Sequence, residues 1–214
     1  MTRKIVSIVL KSIIVVAVIV GVSLDFADRI LNILFFTVQS NIWIAVTCIV
    51  ALALMIAKVR AKRWMYVVKL IFTVSITLTG VVYCTMLAPF LDGAFDLASV
   101  LLHVISPIAA VADFLIYDYC GQYKWWDCIL CTVPPFYYLA FAGIGYALNW
   151  DFYEGNNYPY FFMDWGSPAG AFGFSHEVPY MGVFYYTIVL LTFVVGIGVL
   201  YIFLARVIRN KTSK

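Results

Sequence analysis

The sequence predicts an all-α polytopic membrane protein. It is read as a single domain over residues 1–214, with six transmembrane helices, both termini cytoplasmic and one long outer loop between helices five and six. Three observations predict this. Hydrophobic residues make up 64% of the chain and charged residues 12%, with a mean hydropathy of +0.98, which excludes an ordinary soluble domain. Apolar runs of roughly 20 residues, enough to cross a bilayer core, recur six times. Finally, all of the 14 lysines and arginines except Arg29 fall in the runs and loops on the side of the termini, which the positive-inside rule makes cytoplasmic. Eight of the 11 acidic residues lie opposite: Asp25, Asp28, Asp92, Asp96, Asp151, Glu154, Asp164 and Glu177.

The first span is predicted over 5–24. Arg3 and Lys4 precede it in the manner of a signal peptide, but the run is long and no small-x-small site follows cleanly, so it reads as a retained helix. Lys11, inside it, is expected to snorkel to the inner interface. The second span, 33–57, begins with the polar stretch ILFFTVQSNIW, in which Thr37 and Asn41 share a helix face with Ser40 beside them. The basic residues Lys58, Arg60, Lys62 and Arg63 precede the third span, 65–90, with Lys69 at its start. Asp92 and Asp96 form the next turn, and the fourth span covers 97–117. A fifth, 128–148, is broken in its inner third by Pro134-Pro135, because proline lacks the N–H that a helix interior needs. The sixth, 181–206, runs into a basic tail with Arg209, Lys211 and Lys214. The connection 149–180 is rich in Trp, Tyr, Phe and turn formers, and part of it is expected to lie on the membrane as a lid.

The fourth span carries the chemistry. Its sequence LASVLLHVISPIAAVADFLIYD holds His103, Ser106, Pro107 and Asp113, and ionisable groups in hydrocarbon are functional-site candidates by default. Pro107 cannot bond the carbonyl of residue 103, so a kink and a free carbonyl are expected at His103. His103 lies six residues from the outer end of its span, roughly 9 Å deep, and Thr37 roughly 6 Å deep at the helical rise. A hydroxyl and an imidazole at matched depth are the minimum for an activated nucleophile attacking an ester carbonyl. Ser40, Asn41, Ser106, Asp164 or a main-chain amide are candidate substrate or oxyanion contacts. His176, Glu177 and Asp164 are placed to reach over the cavity, with Asp164 the first choice to orient His103. Asp113, ten residues past His103 and roughly 15 Å deeper, is expected to pair with Lys124, Lys69 or a helix terminus.

Three short motifs resemble a known family. FFTVQSN at the head of span two, LLHVISPIAAVADF in span four and YPYFFMD in the outer loop are similar to the androgen-induced and androgen-dependent TFPI-regulating membrane proteins, through their bacterial six-span relatives. The resemblance follows span order over nearly the whole chain. It implies an intramembrane threonine hydrolase, since animal members cleave fatty acid esters of hydroxy fatty acids with a Thr and a His; Thr37 and His103 stand at those positions. Val104 and Ile105 replace polar residues found beside the family histidine. The partner implied is membrane lipid, with a fatty-acid ester as substrate, in the cell membrane.

Two other readings of the same residues stay open. A transporter or channel would titrate His103 and Asp113 along one path, although no internal repeat or paired broken helices point to it. A scaffold would use its polar residues only to hold helices together. No cofactor is implied. Cys128-x-x-Cys131, with Cys120 nearby, reads as packing cysteines rather than a metal pair, because the histidines lie on the opposite side. The five cysteines make no secreted disulfide framework, and no basic patch interleaved with aromatics suits a nucleic-acid partner.

Overall fold

A computed structural model describes residues 2–91 and 94–212. Asp92 and Lys214, both counted in the charge asymmetry, lie outside the described residues. Among the described residues there are six helices long and apolar enough to cross a membrane: α1 Thr2–Asp28, α2 Phe36–Ile56, α3 Arg63–Phe90, α4 Leu97–Ile116, α5 Asp127–Ala147 and α6 Val183–Thr212. By length and composition this is a multi-pass membrane protein.

The outer faces of the helices are largely apolar, as lipid requires, while polar side chains such as Lys11, Asn41, Lys69, Thr73 and Asp113 turn inward. On α1 the buried residues Ser7, Lys11, Ile14, Val18 and Gly21 recur at helical spacing, while Ile5, Val9, Val16 and Ile19 remain exposed. Helices α1 to α4 pack around Ile14, Ile44, Ile76 and Ala110, and α5 and α6 pack against α3 through a second core that includes Leu70, Phe114, Tyr138 and Tyr201. Arg63 on α3 holds Asp127 on α5 at 2.6 Å, Arg206 on α6 donates to the Tyr123 carbonyl and Arg3 on α1 donates to the Tyr119 hydroxyl, so the basic loops and both terminal segments share one end of the bundle. The 149–180 segment covers the other end. There Arg29 donates to the carbonyls of Asp151 and Phe152 and ties the segment to the end of α1.

Four details refine the expected elements. The expected start of span two at residue 33 is instead a 3₁₀ turn, Ile30–Leu34, and an extended Phe35, so α2 begins at Phe36. Helix α3 ends in a π-helical turn, Tyr83–Leu87, and α4 contains another, Leu101–Ile105, immediately before Ser106-Pro107. Insertions of this kind accommodate a carbonyl that the proline cannot satisfy. Helix α5 is interrupted after Leu130 and restarts at Val133, where Pro134 and Pro135 fall in a first turn that needs no N–H donors. Lys11 does not snorkel: it is 1% exposed and bonded inside the bundle, because Asp113 offers a buried carboxylate at its level.

Candidate functional site

Asp96 caps α4 by accepting from the Ser99 N–H at 2.7 Å. One turn on, the Ser99 carbonyl lies 3.0 Å from His103 Nδ1. A carbonyl oxygen only accepts, so the proton resides on Nδ1 and Nε2 keeps its lone pair. The imidazole stacks on the Tyr83 ring, centroids 3.7 Å apart and planes 13° from parallel. The two π-helical turns therefore present their aromatic rings to each other. Tyr83 is held in turn by its hydroxyl, which donates to the Ala94 carbonyl. The backbones can meet there because Gly80 has no side chain: a Cβ on it would stand 2.9 Å from the His103 carbonyl and 3.1 Å from the Pro107 ring.

Thr37 and His103 line the same cavity, about 410 Å³ in volume, together with Asn32, Ser99, Tyr83 and Tyr160. Because α2 starts at Phe36, Thr37 sits in the first helical turn rather than four residues into a span. It is set where unpaired N–H groups and the positive end of the helix dipole collect. Its own N–H donates to the Tyr160 hydroxyl at 3.3 Å, and its side chain lies beside the same phenol. Most threonines in this bundle, such as Thr73, Thr77 and Thr187, bond back to their own helix. Among the described residues no bond of that type holds the Thr37 hydroxyl. None of the hydrogen bonds described joins Thr37 to His103 directly. Burial pushes the Tyr160 phenol up to about 12, so it stays a neutral donor.

The other sequence candidates lie elsewhere. Ser40 donates to the Thr37 carbonyl and shares a 2.7 Å bond with Thr79. The Asn41 amide donates to the carbonyls of Thr37 and Leu102. Both side chains brace α2 against its neighbours beneath the cavity, and their donors are spent there. Ser106 is fully buried with its hydroxyl unpartnered. Asp164, expected to orient His103, instead accepts from Gly166 N–H within its own turn, a local bond that short acidic side chains make readily. The Ser99 carbonyl takes the orienting role. His176 and Glu177 are exposed and do not line the cavity. Tyr160 and Tyr83 were not singled out from sequence; only the position of Tyr160 inside YPYFFMD marked it.

A second polar centre lies toward the basic end. Lys11 Nζ reaches both Asp113 oxygens at 2.8 and 2.9 Å, Ser7 at 2.8 Å and Asp118 at 3.4 Å. Lys69 reaches Asp113 at 3.3 Å and donates to Cys48 Sγ at 2.9 Å. Lys69 was among the expected partners of Asp113, but Lys124 stacks on Trp126 instead. Burial pushes the Asp118 carboxyl up to about 6, against the pull of Lys11. Between this centre and His103 lies the apolar layer of Ile14, Ile44, Ile76, Ala109 and Ala110. Cys128 packs against Gly198, and the Cys131 thiol donates to the Asp127 carbonyl.

Compared with protein-family models, curated proteins and solved structures, the chain matches none.

Proposed function

We propose that this protein is a lipid ester hydrolase of the cell membrane, with Thr37 as nucleophile and His103 as general base in a cavity of the outer leaflet. The observation that carries the reading is the shared cavity: residues 66 positions apart in sequence line one space, with the histidine tautomer set for base catalysis. The His103 Nε2 lone pair takes the Thr37 proton as Oγ1 attacks the ester carbonyl. The tetrahedral oxyanion is stabilised by N–H groups of the first turn of α2 and by the Tyr160 hydroxyl. Collapse breaks the ester C–O bond, the leaving alkoxide takes the proton back from His103, and water then cleaves the acyl-threonine by the same route. The resemblance of three short motifs to the androgen-induced family supports this reading. A catalytic hydrogen bond absent without substrate is not a contrary sign, since such bonds commonly tighten only in the complex.

The apolar layer between His103 and Asp113 weighs against a transport path, which needs polar groups continuing inward. Thr37→Ala and His103→Ala are each expected to reduce ester hydrolysis on the order of 10²–10⁴-fold, with the double variant little worse than either single one. Thr37→Ser retains part of the activity, and a fluorophosphonate probe labels wild type but not Thr37→Ala. Wild type inert toward a panel of lipid esters, with no label at Thr37, would leave a transporter or a scaffold. Both termini and the basic loops are assigned to the cytoplasm. On a background without native cysteines, external reagent should modify a cysteine at Asn156 and not one at Arg60.

A further inference from the structure

Helices α5 and α6 are in contact at the basic end, where a Cβ on Gly198 would lie 3.1 Å from Cys128. Above Asp127–Leu130 the two helices diverge. The crevice they leave is a second cavity, about 80 Å³, and Thr37 and Tyr160 line both it and the first. Its walls are Leu78, Val82, Leu139, Phe162, Met163 and Leu190. Besides those of Thr37, Tyr160 and Tyr186, the hydroxyls along it are committed elsewhere: Thr79 to Ser40, Tyr138 to the Leu34 carbonyl and Thr187 to the Val183 carbonyl. Phe136 at its mouth is 52% exposed on the outside of the bundle, where a bilayer would lie. The first cavity differs in that Asp25, Asn32, Ser99 and His103 add polar groups to its apolar walls.

We propose that the crevice between α5 and α6 is an acyl-chain site: a membrane lipid enters sideways from the bilayer, lays its hydrocarbon chain between Leu139 and Leu190, and brings its ester carbonyl to Thr37. The alcohol portion then occupies the polar cavity beside His103. This rests on the hydrolase reading for its chemistry, though the site itself is a binding site. Its enclosed part has room for roughly three water-sized groups, so only the carbons next to the carbonyl are fully enclosed. The rest of a long chain trails through the open side into lipid. Selection therefore falls on branching and bulk near the carbonyl and tolerates length beyond it.

The test is photolabelling in lipid nanodiscs with a fatty-acid ester carrying a diazirine on the third acyl carbon. Label on the segments 135–139 and 187–191, retained in Thr37→Ala and lost in both Leu139→Trp and Leu190→Trp, is the expected result. Leu190→Ala, which widens the crevice, should keep the label and raise turnover of α-branched acyl esters relative to straight-chain ones by roughly tenfold, the discrimination one or two methyl groups carry in an apolar pocket. Label spread evenly over lipid-facing residues such as Ile108 and Leu200, unchanged by either tryptophan, would overturn the site. Hydrolysis that continues with unaltered chain preference in those variants would also overturn it, and would leave the hydrolase reading standing. Site-specific label without any hydrolysis would support the site and sink the catalytic reading.

Discussion

Replacing Lys11 by Met tests the buried charge cluster most directly. Lys11 is 1% exposed and Asp113 fully buried, so water screens neither. The substitution keeps a long apolar side chain and removes the contacts at 2.8 and 2.9 Å to Asp113, 2.8 Å to Ser7 and 3.4 Å to Asp118. Asp113 then retains Lys69 at 3.3 Å, while Asp118 loses its nearest cation. Two carboxylates would face one ammonium inside the bundle. Breaking a buried pair from one side typically costs about 3–5 kcal/mol, which for a chain of this size lowers Tm on the order of 10 °C. Lys11→Met/Asp118→Asn restores charge balance around the remaining Lys69–Asp113 pair. It is therefore expected to be more stable than Lys11→Met alone. Thermal unfolding of purified protein in one detergent, followed by intrinsic fluorescence, reads both variants. A single-variant loss below about 1 kcal/mol, or a double variant at least as unstable as the single, would refute the claim that the cluster is held by its internal charge balance.

Further outcomes follow from named contacts. Asp118 is pushed up to about 6 from an ordinary value of 3.8, so between these values the folded state holds a proton that the unfolded state releases. Its contribution to stability is full below about pH 4 and is lost as pH rises through 6; Asp118→Asn should flatten that part of a Tm–pH curve, and an unchanged curve would refute the assignment. Gly80→Ala drives a methyl to 2.9 Å from the His103 carbonyl, which should cost about 1–3 kcal/mol and displace the imidazole, so stability and ester hydrolysis fall together. Tyr160→Phe removes a candidate oxyanion donor and should lower kcat by on the order of 10²-fold with little change in Tm. A loss confined to KM would place Tyr160 in binding alone.

Much of this architecture is local and so was legible in the chain. Six apolar runs must become helices, because a backbone in lipid can satisfy its polar groups only within its own segment. Pro107 announced the irregularity at His103, and Pro134-Pro135 the break in α5, because a missing N–H acts within one turn. What sequence could not supply was set by partners distant in the chain. Lys11 reads as an interfacial lysine until Asp113, 102 residues away, meets it inside the bundle. Thr37 reads as a candidate nucleophile some way into a span, and only the fold shows that a 3₁₀ turn sets it in the first turn of α2 with the Tyr160 hydroxyl at its amide. Asp164 had the right chemistry to orient His103, but a backbone N–H two residues away was nearer. Hydropathy and proline positions are properties of a segment and survive without tertiary context. Which lone pair is free, which charge is paired and which cavity a side chain enters depend on packing between segments, and only the folded bundle decides them.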